Sequence, residues 1–139
     1  MKLKTILIVI PLLLVLLYSF TYVPHKLFNI EPDKVSKIHI VDGNSGYRFD
    51  ITDEGEIDRI IKNLNEVTFK KGKSSVGYMG YRFDTTIYDK EGKKIKELII
   101  NSVDTIRYKG FFYTSTEISL EYEYIDELRN QRDGSIGSP

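Results

Sequence analysis

The chain has 139 residues with 20 basic and 20 acidic side chains, so its formal net charge at pH 7 is zero. Residues 1–30 hold three of the lysines and no acid, which leaves 17 basic against 20 acidic residues downstream and argues against a nucleic-acid-binding surface, because such a surface needs dense positive charge. The absence of cysteine excludes disulfides, cysteine-ligated zinc, thiol catalysis and lipid attachment to an N-terminal cysteine.

The amino-terminal segment predicts a transmembrane helix. Lys2 and Lys4 precede an apolar run at residues 5–23 that contains only three clearly polar side chains. As an α-helix this run is roughly 28 Å long, close to the thickness of the hydrocarbon core of a bilayer. Tyr18 and Tyr22 fall near its outer end, where amphipathic rings favour the headgroup region. The lipid bilayer is therefore the predicted partner of residues 5–23.

A cleaved signal peptide is the alternative interpretation of residues 1–23. A signal peptide has a shorter apolar core and small residues at its cleavage site, and the best match here, the Ser-Phe-Thr of residues 19–21, is poor. An uncleaved signal-anchor is therefore favoured. Because positive charge precedes the run, we expect a single-pass protein of the cell membrane with its amino terminus inside and its carboxyl-terminal domain outside the cytoplasm.

The remaining chain divides into three predicted parts. Residues 24–34 are expected to form a juxtamembrane linker, since Pro24 and Pro32 discourage helix continuation. Residues 35–129 are expected to form the folded extracytoplasmic domain. Residues 130–139 are small, polar and glycine-containing, which predicts a disordered tail.

The domain begins with a predicted β-hairpin and helix. Alternating apolar residues predict strands at residues 35–41 and 47–52, joined by a turn rich in glycine and asparagine. Asp53 and Glu56 then match a helix N-terminal capping pattern. Isoleucine and leucine recur from Ile57 at the i, i+3, i+4 and i+7 positions, which predicts an amphipathic helix that packs on a sheet.

Three further strands and a final helix are predicted after a glycine-rich connection. The strands cover residues 81–88, 94–101 and 105–113, and the last forms two strands if it folds back at Lys109-Gly110. The helix covers residues 119–129. This order predicts an α+β fold with an antiparallel sheet of four to six strands and two amphipathic helices, preceded by one transmembrane helix.

The stretch "KKGKSSVGYMGYRFD" contains two motifs that need testing. Gly72-Lys73-Ser74 resembles the end of a phosphate-binding loop, but Val67 stands where the first glycine of that motif belongs. The motif also follows a helix and leads into a strand, the reverse of a phosphate-binding loop. No nucleotide is therefore expected as a ligand.

The pentapeptide "GYRFD" occurs at residues 46–50 and again at residues 80–84. The sequences that follow the two copies diverge and there is no third copy, so a repeat architecture is not expected. Each copy is interpreted as a strand with its phenylalanine inward and its arginine and aspartate on the opposite face. Cross-strand ion pairs are then expected among the four charged residues, which are Arg48, Asp50, Arg82 and Asp84.

Two hypotheses remain open for the basic segment at residues 70–81. The first is a flexible, solvated connection without a ligand, because charged glycine-rich segments are usually surface loops. The second is binding of an anionic lipid, a wall polymer or an envelope protein through lysine, serine and tyrosine side chains. The candidate residues are Lys70, Lys71, Lys73, Ser74, Ser75, Tyr78 and Tyr81.

Catalysis has little support in the sequence. His25 and His39 are too far apart to suggest a metal site, no cofactor is expected, and no Ser-His-Asp arrangement is recognisable. Four carboxylates are candidates for a catalytic pair, but they lie on strand ends and turns, where carboxylates are usually exposed or act as caps: Asp42, Asp50, Asp84 and Asp104. A non-catalytic binding module is therefore expected. The alternatives are a regulator or immunity-type inhibitor of a membrane sensor, transporter or toxin, and a small envelope enzyme that uses carboxylates.

The stretches "FKKGKSSVGYMGYRF" and "DTIRYKGFFY" resemble a family of small, uncharacterised, single-pass membrane-anchored proteins of low-GC Gram-positive bacteria. Neither stretch is a catalytic signature. The resemblance extends over most of the predicted domain and implies an envelope location, without an activity or catalytic residues that could be transferred.

Overall fold

A computed structural model describes residues 2–136 of the chain. The helices are α1 (Leu3–Phe20), α2 (Glu54–Glu66) and α3 (Tyr122–Ile136), with a 3-10 turn at Pro32–Lys34. The strands are β1 (His25–Lys26), β2 (Val35–Asp42), β3 (Arg48–Ile51), β4 (Thr68–Ser74), β5 (Phe83–Asp89), β6 (Lys94–Ile100), β7 (Thr105–Tyr108) and β8 (Phe111–Ser115).

The strands form one antiparallel sheet in the order β1-β4-β8-β7-β6-β5-β2-β3. The predicted α+β class with an antiparallel sheet is confirmed. The predicted count of four to six strands is too low, because β1 and β4 join the sheet at residues for which the sequence predicted no strand. The predicted fold-back at Lys109-Gly110 is confirmed: both residues have positive φ, of 48° and 84°, as a tight two-residue hairpin loop requires.

The core lies between one face of the sheet and helices α2 and α3. Asp53 caps α2 by accepting a hydrogen bond of 3.0 Å from the Glu56 N–H, as the sequence predicted. The predicted apolar stripe of α2 is buried, and it comprises Ile57, Ile60, Ile61 and Leu64. The phenylalanines of both "GYRFD" copies, Phe49 and Phe83, are buried on this helix-covered face. The other face of the sheet is called the open face.

The residues between α1 and β2 pack into the domain and do not form the predicted linker. Phe28 and Ile30 are 2% and 5% exposed. The side-chain amide of Asn65 binds the backbone of Ile30 twice, accepting from its N–H at 2.9 Å and donating to its carbonyl at 2.7 Å. Because β1 also pairs with β4, the packed domain begins at His25, ten residues before the predicted boundary at residue 35.

The last and first helices, α3 and α1, also bear on the sequence predictions. The final helix was expected at residues 119–129, whereas α3 covers Tyr122–Ile136. The first seven residues of the predicted disordered tail, 130–136, are therefore helical, and residues 137–139 lie outside the described residues. Within the described residues, α1 buries none of its side chains and is long and apolar enough to cross a membrane. A signal sequence near the amino terminus has the same properties.

Candidate interaction surface

The strand order forces residues 75–82 across the open face of the sheet. β4 and β5 are consecutive in the chain but are separated in the sheet by β8, β7 and β6. We call residues 75–82 the crossing segment. It passes over β7 and β8, where the ring of Tyr78 packs edge-on against the ring of Phe112, with 5.1 Å between the ring centroids.

The backbone of the crossing segment is held at three places. At its start, the Ser75 N–H donates to the carbonyl of Gly110 at 2.8 Å. In its middle, the Arg107 guanidinium donates to the carbonyl oxygens of Tyr78, at 3.2 Å, and of Gly80. The expectation of a flexible loop at residues 70–81 is therefore wrong, since residues 70–74 belong to β4 and the rest is hydrogen-bonded to the sheet.

The end of the crossing segment is the most tightly packed. The Gly43 N–H donates to the carbonyl of Arg82 at 2.7 Å. A Cβ atom added at Gly43 would lie 2.0 Å from the carbonyl oxygen of Tyr81, so no larger residue fits there without movement of the backbone. Position 43 thus needs glycine because of this close approach, and Tyr81 is fixed against the β2–β3 turn.

Large apolar side chains point outward from this fixed backbone. Val76 is 80% exposed and Met79 is 88% exposed, and among residues 21–134 no other large apolar side chain is as exposed. Tyr78 and Tyr81 are each exposed by roughly half. An exposed apolar cluster of this kind is typical of a contact site, because isolated exposed apolar residues are normal but clustered ones are uncommon.

The predicted lysines lie on different faces. Lys70 is exposed on the open face, opposite Thr114 of β8. Lys73 reaches the same face because the register of β4 against β8 shifts between Lys71 and Ser74. Its ammonium donates to the Tyr78 hydroxyl at 2.7 Å and lies 4.6 Å from the centre of that ring. Among the predicted site residues, Lys73 and Tyr78 are thus directly joined.

The two predicted serines have structural roles. The Ser74 hydroxyl accepts a hydrogen bond from the Val76 N–H at 3.3 Å and donates weakly to the Gly110 carbonyl at 3.5 Å. Ser75 holds the start of the crossing segment through its backbone. Both residues therefore shape the segment, and their contacts point to a structural role more than to anion binding.

Lys71 faces away from the other candidates, toward α1. Its ammonium lies 3.9 Å from the centre of the Phe111 ring and 5.3 and 5.1 Å from those of Tyr18 and Tyr22. Cation–π attraction to three rings connects the domain directly to the end of α1. The sequence predicted a loop at Lys71, with the three lysines on one surface. In the structure Lys71 belongs to β4, and because successive side chains of a strand point to opposite faces, it faces away from Lys70.

Asp42 forms a buried ionic cluster at the end of the sheet where β2 ends and β5 begins, opposite the end that carries the β7–β8 turn. Its side chain is 1% exposed, and its carboxylate binds the guanidinium groups of Arg82 and Arg129, the latter at 2.9 Å. The Asn44 N–H and the Ser45 hydroxyl complete its hydrogen bonds, at 3.0 and 2.9 Å. Burial favours the neutral acid, but these hydrogen bonds outweigh burial and lower the pKa of Asp42 to about 2. The cluster joins the end of β2 and the β2–β3 turn to the end of the crossing segment and to α3.

The ion pairs expected from the "GYRFD" copies do not form. Arg82 binds Asp42, the last residue of β2, and Asp126 of α3, the latter at 2.5 Å, and it binds neither Asp50 nor Asp84. Asp50 instead lies 2.6 Å from the Nδ1 atom of His39, its cross-strand neighbour. The buried cluster was missed because Asp42 and Arg82 are forty residues apart and Asp42 resembles an ordinary turn residue.

The four carboxylates proposed for catalysis do not converge on one site, although Asp84 shares the open face and the neighbourhood of His39 with Asp50. Asp42 is enclosed by arginines, Asp50 is on the open face with His39, and Asp104 accepts hydrogen bonds from the Ser102 and Thr105 hydroxyls. None of the four lines the acidic cleft at the start of α2, which has a volume of about 510 Å³ and is lined by Asp33, Glu54 and Asp58. Within residues 2–136, no group of three or more His, Cys, Asp or Glu side chains is placed to hold a metal ion.

Replacement of Asp84 by Asn is expected to raise the free energy of unfolding at neutral pH. Burial raises the pKa of Asp84, and the Glu97 carboxylate raises it further, so the ionised form destabilises the folded state. This destabilisation is present above the folded-state pKa and disappears as the pH falls below the unfolded-state pKa of 3.8. Urea unfolding of the two chains at about pH 7 and about pH 3 measures the difference.

Asp104→Asn is the matched control for Asp84→Asn. Hydrogen bonds from Ser102 and Thr105 lower the pKa of Asp104, so this replacement should decrease the free energy of unfolding at neutral pH. If both replacements shift stability in the same direction, the assignment of Asp84 as a destabilising buried acid is contradicted.

Comparison of the chain with protein-family models, with curated proteins and with solved structures finds no match. The interpretation of the surface therefore depends on its own geometry.

Proposed function

We propose that this protein is a membrane-anchored, non-catalytic interaction module that binds an envelope protein outside the cytoplasm through the crossing segment. The observation that carries the proposal is the outward display of Val76 and Met79 on a hydrogen-bonded backbone. Methionine and aromatic residues are enriched at protein interfaces, and large anchors in the centre of an interface supply most of its binding energy. A backbone that is already ordered loses less entropy on binding.

Positive charge borders the apolar side chains on the side of β4 and the β7–β8 turn. Lys70 and Lys73 are exposed on β4 beside the crossing segment, and Lys109 is exposed at the adjacent β7–β8 turn. A rim of lysines on one side of an apolar centre favours a partner with an apolar centre and acidic residues on the matching side. Because Lys73 also packs on Tyr78, the rim and the centre belong to one surface.

Anchoring by α1 is the second part of the proposal. Its apolar side chains are exposed along the whole helix, and an unburied helix of this composition is stable in a bilayer but costly in water. Tyr18 and Tyr22 stand at its carboxyl-terminal end, as expected for side chains at a membrane interface. Lys2 and Lys4 stand at its amino-terminal end, which supports an inside amino terminus.

Photocrosslinking in intact cells tests the binding surface. A photoreactive amino acid at Met79 is expected to give a discrete crosslinked protein, because this side chain is the most exposed apolar group of the crossing segment. The matched control is the same group at Ile118, which is 44% exposed in the β8–α3 connection and lies outside the surface.

The crosslinked species decides between the partners. A protein adduct at position 79 that is absent at position 118 supports the proposal, and an adduct with a membrane sensor or transporter would favour the regulatory alternative. Lipid or glycan adducts at position 79 without a protein adduct would contradict a protein partner. Equal adducts at both positions would show that the surface has no special role.

A further inference from the structure

The direction of β4 places one edge of the domain beside the outer end of α1. β1 leads the chain away from α1, and β4 pairs with it antiparallel, with Phe69 opposite His25. β4 therefore runs back toward α1, and Lys71 reaches the rings of Tyr18 and Tyr22. Because Ser74 is opposite Phe111, the end of β4 and the β7–β8 turn lie at this same end of the sheet.

This end of the sheet carries a compact set of basic and apolar side chains, which we call the docking edge. Its members are Lys73, Val76, Lys109 and Phe111. Val76 lies against the β7–β8 turn, with its side chain 4.0 Å from the position of a Cβ atom at Gly110. The Phe111 ring is 3.9 Å from the Lys71 ammonium, which also contacts the end of α1.

We propose that the docking edge lies in the headgroup region of the membrane that α1 spans, against anionic phospholipid. The proposal deepens the proposed function and rests on its anchoring by α1. The last turn of α1 touches the domain itself: Leu17 and Phe20 line an open pocket together with Lys71 and Tyr113. A domain in direct contact with the outer end of a transmembrane helix has its adjacent edge at the height of the lipid headgroups.

The chemistry of the docking edge fits this occupant. Lysine side chains are attracted to anionic headgroups, and Val76 and the aromatic rings have apolar surface that the headgroup region accommodates. Among the described residues, neither basic residue of the docking edge, Lys73 or Lys109, forms an ion pair with an acid. Met79 is separate from this edge, because the carbonyl groups on either side of it are held by Arg107 in the middle of the open face.

Docking would fix the orientation of the domain. Docking assigns Val76, Lys73 and Lys109 to lipid, so the protein-binding surface of the proposed function narrows to the rest of the crossing segment. That part faces sideways, along the membrane surface, where Met79 and Tyr81 can meet a protein in the same membrane. The contacts of Lys71 with α1 and of Val76 with lipid then act together as two attachment points.

The absence of tryptophan from the chain makes the proposal directly testable. Val76→Trp introduces a single tryptophan, which can be excited selectively over the ten tyrosines, at a position that is 80% exposed, so the fold should tolerate it. The full chain is reconstituted in vesicles of phosphatidylcholine and phosphatidylglycerol with brominated acyl chains, which quench tryptophan on contact. The matched control is Val103→Trp, 40% exposed in the β6–β7 connection at the opposite end of the sheet.

The expected result is loss of emission from Trp at position 76, with emission at position 103 unchanged. Replacing phosphatidylglycerol by phosphatidylcholine, or introducing Lys73→Glu and Lys109→Glu, should reduce the quenching at position 76. Emission that is unquenched at position 76, or equally quenched at both positions, overturns the docking.

A flotation measurement separates this proposal from the proposed anchoring. If the unmodified chain does not float with the vesicles after an alkaline wash, anchoring by α1 is contradicted, and docking with it. If the chain floats but position 76 is not quenched, docking alone is contradicted and the anchored interaction module stands.

Discussion

Replacement of Asp42 by Asn is expected to lower the free energy of unfolding by about 3 kcal/mol, because it removes the charge that two guanidinium groups share in a buried site. Asp42 is 1% exposed, and Arg82 and Arg129 approach it from the end of the crossing segment and from α3. Breaking a buried ion pair by changing one partner leaves the other charge uncompensated in a poorly solvated environment. The loss should appear in urea unfolding of the full chain in detergent micelles.

The matched control is Asp50→Asn. Asp50 also contacts a basic side chain, His39, but its side chain is 46% exposed. Exposed ion pairs contribute about 0–1 kcal/mol, so this replacement should change stability little. Equal effects at positions 42 and 50 would contradict a special role for the buried cluster.

The stability contributed by Asp42 should depend on pH in a defined direction. Its folded-state pKa of about 2 lies below the unfolded value of 3.8, so ionised Asp42 favours the folded state above the unfolded pKa. This contribution, roughly 2 kcal/mol, is lost as the pH falls from about 4 toward about 2. Asp42→Asn should remove this part of the pH dependence, and unchanged acid sensitivity in that variant would contradict the assignment.

Replacement of Phe28 by Ala is expected to lower the free energy of unfolding by about 3–5 kcal/mol, the usual cost of removing a fully buried aromatic ring. Phe28 is 2% exposed and packs against the rings of Phe69 and Tyr108, with centroid distances of 6.0 and 5.0 Å. The effect should be measurable by urea unfolding under the same detergent conditions as for Asp42.

Ile118→Ala serves as the control for Phe28→Ala. Ile118 is 44% exposed, and surface replacements usually change stability by less than about 0.5 kcal/mol. If residues 24–34 were a linker, as their sequence suggests, Phe28→Ala would be equally mild. A small effect at position 28 would therefore restore the linker interpretation and contradict the burial of this segment.

The elements that the sequence predicted well are those in which one pattern determines both local structure and burial. The isoleucine stripe of α2 follows a helical period, and its cap at Asp53 has a local hydrogen-bonding requirement. Lys109-Gly110 is recognisable because glycine readily adopts the positive φ that a hairpin turn needs. These features depend on residues close together in the chain.

The strand β4 could not be predicted from its residues. Its sequence "TFKKGKS" has one buried apolar side chain, Phe69, and its lysines lie on both faces of the sheet. The register shift between Lys71 and Ser74 also breaks the alternation that identifies a strand. β4 exists because β8 supplies hydrogen-bond partners, and this pairing is distant in sequence.

The sequence suggested which residues to consider for a binding surface, but not how they are arranged. It placed Lys73 and Tyr78 in one candidate group, and in the structure these two side chains are joined by a hydrogen bond. The stabilisation of the segment by Arg107 was not predictable, since the guanidinium binds backbone carbonyls that every residue possesses. The orientation of Lys71 toward α1 could not be predicted, because it follows from the β4 strand at residues 70–74, which the sequence did not reveal.

The pairing of β4 with β8 determines when the domain can be completed during synthesis. β4 lies between β1 and β8, and its longer partner is β8, so most of its hydrogen bonds form only after Ser115 has left the ribosome. Contacts between distant residues slow folding, and an unpaired strand is prone to aggregate in the meantime. A chain interrupted before Phe111 would thus lose the strand that connects the edge beside α1 to the rest of the sheet.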